Sequence, residues 1–180
     1  DQARRFARHN LDDWRATGTK RLLVLDPHDY ISFTEDYPKY FGEEFDIEVV
    51  LVIEVLAQLL REGRLTPVAP VTASPAATVT YHDPCYIGRH NGVYDPPREL
   101  IGSLPGVALT EMPRHGNRSF CCGAGGARMW MEEKLGTRIN ANRMEEALAT
   151  GAEQVAVACP FCRVMLSDGL AAAQGEGSAR

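Results

Sequence analysis

An α/β fold of mostly parallel sheets with flanking helices, in two pseudo-repeated halves of which the first is truncated, is predicted by three observations. Five short apolar runs, at residues 21–25, 47–51, 77–81, 106–110 and 153–158, are each separated from the next by sequence with helical periodicity. Residues 6–18 (FARHNLDDWRATG) match residues 139–151 (INANRMEEALATG) at an offset of 133 (139 minus 6), and 21–29 (RLLVLDPHD) then match 154–162 (QVAVACPFC) in the same register. Between the halves lies TPVAPVTASPAAT, residues 66–78, with three prolines and many small side chains, a composition suited to a linker.

Each element follows from local pattern. Residues 3–17 set Phe6, Leu11 and Trp14 among Arg and Asp, which predicts an amphipathic helix stopped by Gly18. RLLVL is a short buried strand, and the turn Asp26-Pro27-His28-Asp29 leads into a helix running to about residue 36. A strand at 47–51 and a helix at 53–61, ending at Gly63, complete the first series. The second series predicts a strand at 77–81, a helix at 97–104 entered through two prolines, and a strand at 106–110. Helices at 127–135 and 137–149 follow, the first packing Met129, Trp130 and Met131, the second Ile139, Met144, Ala147 and Leu148. A strand at 153–158 and a helix at 160–170 close the fold, and 171–180 reads as a flexible tail.

Composition narrows the function classes. The 180 residues carry 19 Lys and Arg against 24 Asp and Glu, a net charge of −5, and the sequence pI is near 5.5. No basic stripe exists to neutralise phosphates, which argues against a nucleic-acid partner. The most apolar stretch, residues 49–60, is interrupted by Glu54 and Gln58 and is too short for a membrane span. The sequence starts at Asp1, with neither Met nor a signal core, as a processed product or fragment would.

The cysteines point to chemistry. Five is an odd number, a poor match to a closed disulfide framework, and all five lie between Cys85 and Cys162 in the pattern C-x35-CC-x36-C-x2-C. Cys85 follows one strand, Cys159 and Cys162 follow another, and Cys121 and Cys122 sit in a loop. In a parallel sheet such positions gather at the carboxyl edge, where open α/β folds bind ligands. Thiolates are soft anionic donors that select zinc, Cu(I) or iron–sulfur clusters. A structural zinc site or a cubane cluster takes four, so five leave either an unusual cluster or one free thiol. Cys122-Gly123-Ala124-Gly125-Gly126 brings three glycines beside two of the thiols, and Gly123 in particular allows close backbone approach with N–H donation toward sulfur. A dinucleotide fingerprint fails there, because Arg128 stands where the last Gly of G-x-G-x-x-G belongs.

Other polar residues flank the thiols. His82, Arg89 and His90 bracket Cys85 and are the candidates for donating protons or hydrogen bonds to a substrate; as a strand-end turn they would be merely solvated. Arg114 and His115 stand similarly before Cys121. In the repeat register Asp26 and Asp29 take the places of Cys159 and Cys162, with His28 between them, so this loop is either a hard-metal site or a degenerate one.

The segments YHDPCYIGRHNGVYDPPREL (81–100), FCCGAGGARMW (120–130) and ACPFCRVMLSDG (158–169) resemble the cysteine-rich CCG domain family, named for its Cys-Cys-Gly signature. That family includes heterodisulfide reductase B/D-type subunits and iron–sulfur subunits of glycolate and lactate oxidation. These segments look most like the heterodisulfide-reductase-related branch proposed to oxidise electron transfer flavoprotein and reduce quinone. The resemblance implies that residues 1–65 are the end of a degenerate first CCG repeat and 79–170 a complete second one. It implies that Cys85, Cys121, Cys122, Cys159 and Cys162 bind a [4Fe–4S] cluster, of the noncubane type, with zinc the alternative. The implied function is cluster-mediated electron transfer or disulfide reduction; the alternative is a zinc-stabilised structural or docking module. Implied partners are a redox protein, or the ferredoxin-like and membrane regions of a longer chain, with electron transfer flavoprotein and quinone. The domain would be inactive without that upstream region and cytoplasmic, at the inner face of the plasma membrane. Asp26 and Asp29 depart from the family pattern, which leaves the first repeat without its C-x2-C pair.

Overall fold

The computed structural model describes residues 2–68, 77–131 and 136–177. The chain divides into two compact units, 1–55 and 56–180.

In the first unit α1 (Gln2–Ala16) precedes β1 (Arg21–Val24), α2 (Pro27–Ile31), a π-helical turn (Ser32–Asp36), α3 (Tyr37–Phe41), β2 (Glu48–Leu51) and the start of α4 (Val52–Arg61). Strands β1 and β2 pair in parallel, Arg21 opposite Glu48. Leu11 is fully buried and Ala7 nearly so, against Tyr37, Phe41 and Ile47, with Trp14 at the margin; Phe6, on the other face, is exposed. Tyr37 is the hub: Phe33 meets it edge-on at 5.0 Å and Trp14 stacks on it at 5.6 Å. The helix expected to stop near residue 36 instead passes through the π turn into α3. Pro38 supplies no N–H for a helical ladder, so the chain re-registers before it. Asp26 caps α2, accepting from the His28 amide at 2.8 Å and facing its ring Nδ1 at 2.9 Å, a structural task for two residues of the Asp26–Asp29 loop.

The second unit holds β3 (Ala77–His82), α5 (Asp95–Ser103), β4 (Val107–Leu109), α6 (Ile139–Leu148), β5 (Gln154–Val157) and α7 (Pro160–Gly177) after the remainder of α4. Its sheet is wholly parallel in the order β4-β3-β5, with Ala77 opposite Val107 and Val79 opposite Gln154. The carboxyl ends of β3 and β5 therefore finish side by side. Met112, Met144, Ala147 and Leu166 form a core under this sheet, while Leu148 stays about half exposed. Helices α6 and α7 approach so closely that a Cβ at Gly169 would lie 2.8 Å from the Asn140 carbonyl oxygen. Asn140 Nδ2 in turn donates to the Met165 carbonyl at 3.0 Å.

Two further expectations need correction. The helix at 127–135 is replaced, over the described part, by a single 3₁₀ turn (Arg128–Trp130); residues 132–135 lie outside the described set. Ala127 adopts φ +60°, a left-handed conformation that cannot begin an α-helix. Trp130 and Met131 are accordingly exposed, at 78% and 60%, and only Met129 packs inward. Helix α7 continues through 171–177, expected to be tail, because Ala171, Ala172 and Ala173 favour helix strongly. Of the expected linker, residues 69–76 lie outside the described set, and β3 starts at Ala77. No helix among the described residues is long and apolar enough to cross a membrane.

Candidate metal centre

None of the five cysteines is in a disulfide, so all five offer thiols. Cys85 follows the end of β3 by three residues, in a turn closed by Gly88 N–H donating to the Pro84 carbonyl at 2.9 Å and His90 N–H donating to the Cys85 carbonyl at 3.0 Å. Cys159 directly precedes α7, and its carbonyl accepts the Arg163 amide, which places Cys162 in the first turn of that helix. Cys121 and Cys122 arrive on the long segment that follows β4.

The structure brings these loops together. Cys85, Cys121, Cys122 and Cys162 line one pocket with His82, Asp83, Arg89, Ser119 and Phe120. On its inner side Cys122, Cys159 and Cys162 pack with Met165, flanked by Met129 and Phe161. Thiol hydrogen bonds join Cys121 to Cys122, Cys122 to Cys162 and Cys162 to Cys159. Cys122 is held well below the ordinary thiol range by hydrogen bonds from Cys121, Cys162 and His82, with the Ala124 amide assisting. The donating Cys121 and Cys162 are pushed up, since each shares its proton with that sulfur. Burial, and then the charge of Cys122, raise Cys85.

Backbone amides converge on the sulfurs as well. Gly123 N–H donates to Cys121 Sγ at 3.2 Å with φ +91°, and a Cβ there would press to 3.0 Å on Ile139. Neighbouring side chains clamp the loops. Asp83, 4% exposed, receives Arg98 Nη1 and Nη2 at 2.8 and 3.0 Å and the Gly116 amide at 2.8 Å. Burial raises its carboxyl pKa, but the Arg98 and Gly116 hydrogen bonds outweigh that and hold it below the usual carboxylate range. Arg98 also grips Glu111 at 2.6 Å, and Ser119 Oγ donates to the Asp83 carbonyl at 3.2 Å. The end of β3, α5 and the loop leading to Cys121 are thereby tied together.

The candidate residues separate. His82, 1% exposed, lies against Cys122 and Cys162, a nitrogen of its ring and the two sulfurs all within 4.8 Å of one another. Arg89 lines the pocket but is committed to the Ser119 carbonyl at 2.7 Å. His90 is exposed and stacks on Tyr86 at 4.7 Å. Arg114 lies over the Phe120 ring at 3.8 Å and donates to Glu146, and His115 Nδ1 faces the Met112 carbonyl at 2.6 Å, so both shape the loop. Sequence reasoning missed Arg98 and Arg143, the latter wholly buried on α6 with Nε donating to His82 Nδ1 at 3.1 Å. The available signal was position: Arg143 is four residues from both Ile139 and Ala147, on the apolar face of its helix.

The donor chemistry fits a thiolate-held metal group. Five clustered sulfurs with amide donors form a soft, anionic cradle. Tyr81 Oη, a buried donor that feels the charge of Cys159 and Cys162, has no hydrogen-bond partner among the described residues, and neither do the buried Thr80 Oγ1 and Arg143 Nη2; an orphaned donor near the sulfurs is the condition expected where a bound group would complete the shell.

Such a cradle at the carboxyl edge of a parallel sheet defines a cysteine-rich α/β domain with a candidate metal centre. Residues 79–167 match the CCG cysteine-rich domain family. The chain is 44% identical over 171 residues to a Bacillus subtilis (strain 168) protein named "Probable iron-sulfur-binding oxidoreductase FadF", covering 95% of the chain and 23% of that protein. It is 38% identical over 178 residues to the "EtfAB:quinone oxidoreductase" of Syntrophomonas wolfei, covering 95% and 24%. It is 36% identical over 169 residues to a component of the dihydromethanophenazine:CoB–CoM heterodisulfide reductase of Methanosarcina barkeri, covering 94% and 40%. The chain thus spans about a quarter of the first two relatives and two fifths of the third. No solved structure gives a significant match.

Proposed function

We propose that this chain is the cluster-holding segment of a longer iron–sulfur oxidoreductase, with Cys85, Cys121, Cys122, Cys159 and Cys162 as ligands of a [4Fe–4S] cluster of noncubane type. The observation that carries the reading is the gathering of five thiols around one pocket and its inner wall, one more than a tetrahedral zinc site or a cubane takes. Bound there, such a cluster supplies single electrons to or from a two-electron partner such as a disulfide, a flavin or a quinone. The chain's own residues set the conditions. The amides of Gly123 and Ala124 and the His82 ring place N–H donors on sulfur, which favours the more reduced, more negative state of the site. Met129, Phe161 and Met165 exclude water on the inner side. Cys85, Arg89 and Phe120 form the outer wall, where a substrate or partner would approach.

The relatives' names support electron transfer flavoprotein and quinone, or a disulfide, as partners in the complete reaction. In this reading that reaction requires the parts of the longer protein that this chain does not span, and quinone reduction sets it at the inner face of the plasma membrane. Anaerobic purification with iron, sulfide and metal analysis tests the proposal. The expected result is a brown protein with about four irons and four sulfides per chain. A colourless protein with one zinc and no sulfide would overturn it in favour of the structural module.

A further inference from the structure

Proximity alone would make His82 a metal ligand, since one of its ring nitrogens and the sulfurs of Cys122 and Cys162 form a compact buried triad. Its other contact argues the opposite. Arg143 is 0% exposed and directs Nε–H at His82 Nδ1, 3.1 Å away. The guanidinium is held in that attitude by Nη1, which donates to the Arg114 carbonyl at 2.9 Å and to Glu146 Oε2 at 2.7 Å. Arginine has donors only, so Nδ1 must present a lone pair to it. A neutral imidazole has one lone pair and one N–H, and with Nδ1 unprotonated the proton sits on Nε2. A nitrogen carrying that proton donates; it cannot ligate. Histidines that bind metals show the reverse polarity, giving their second N–H to a carboxylate or carbonyl.

We propose that Arg143 is a positioning residue that fixes His82 as the Nε2–H tautomer, making His82 a hydrogen-bond donor to the Cys122 sulfur and barring it from the ligand set. The inference rests on the reading of the cysteines as the metal site and goes beyond it by assigning the one imidazole in that site. Its consequence for the site is electrostatic: an N–H···S bond stabilises the reduced state, so the pair raises the reduction potential without adding a ligand. It also explains why a wholly buried arginine lies on α6 beside Met144 and Ala147, 61 residues from the histidine it orients.

Two measurements test it. Long-range ¹H–¹⁵N correlation on the metal-free, reduced chain reads the His82 tautomer directly. The expected result is protonated Nε2 and bare Nδ1 in the wild type, with a mixed tautomer in Arg143→Met; a wild type protonated on Nδ1 overturns the proposal. On the full chain assembled anaerobically with iron and sulfide, His82→Gln keeps a donor but no ligating nitrogen. It should retain the wild-type iron content, while His82→Leu should retain iron yet show a lower reduction potential. Loss of iron in His82→Gln, or a potential unchanged in His82→Leu, overturns it. If Arg143→Met fails to fold by circular dichroism, the wild-type tautomer and the two His82 variants still decide. If the wild type takes up no iron and sulfide, the cluster reading fails, and the tautomer measured without metal decides this inference separately.

Discussion

Replacing Arg98 by Leu removes the cation that Asp83 faces. The pair is buried, with Asp83 2% and Arg98 19% exposed as side chains, so solvent screening gives little relief. After the change Asp83 retains one donor to its carboxylate, the Gly116 amide, in a site that still excludes water. Breaking a buried pair from one side costs about 3–5 kcal/mol. At roughly 2–4 °C per kcal/mol for a chain of this size, that lowers Tm by roughly 6–20 °C. Because the two units need not melt together, the second should be followed by urea titration with a probe confined to it, such as protection of the cysteines from a thiol reagent. The double variant Asp83→Asn/Arg98→Leu should be more stable than Arg98→Leu alone, since it removes the buried uncompensated carboxylate and leaves only Glu111, 28% exposed as a side chain, without its arginine. The clamp also aligns the loops of Cys85 and Cys121, so iron uptake should fall with stability. A loss below about 1 kcal/mol in Arg98→Leu, or a double variant weaker than the single one, would refute the reasoning.

Gly169→Ala should destabilise despite a helix-propensity gain of about 1 kcal/mol, because its Cβ meets backbone at Asn140 that cannot rotate aside and overpacking costs up to about 3 kcal/mol; denaturant melting gives the sign. Glu44, hydrogen-bonded to Arg8 at 2.6 and 2.7 Å, has its pKa lowered from 4.5 to about 2. Its contribution is therefore present above pH 4.5 and lost as pH falls toward 2, and Glu44→Gln should flatten acid unfolding of the first unit across that window. Cys122→Ser should reduce iron content and change the visible spectrum more than Cys85→Ser, because Cys122 contacts Cys121, Cys162 and His82; full iron retention in Cys122→Ser would count against a five-thiolate site.

Periodicity and punctuation made the elements legible from the chain alone. The observed strands lie within, or one residue beyond, the five apolar runs, and Gly18 and Gly151 end their helices at φ +69° and +73° after the same Ala-Thr. These are local effects of side-chain alternation and of a residue that accepts positive φ. The cysteine set was legible for a related reason: in a parallel sheet, residues just after strands must meet at one edge. What local pattern could not decide was how the chain closes around those thiols. Gly125-Gly126 announce a turn before residue 127, but not that Ala127 itself adopts the left-handed conformation and that Ala124 and Met129 on either side of it pack against the Cys122 cluster. Nor does an arginine at 143 announce its partner. Its helix pattern says only that it is buried, and a buried guanidinium takes its meaning from acceptors 29 and 61 residues away, at Arg114 and His82, which only the packing of α6 on β3 and its loops brings within reach.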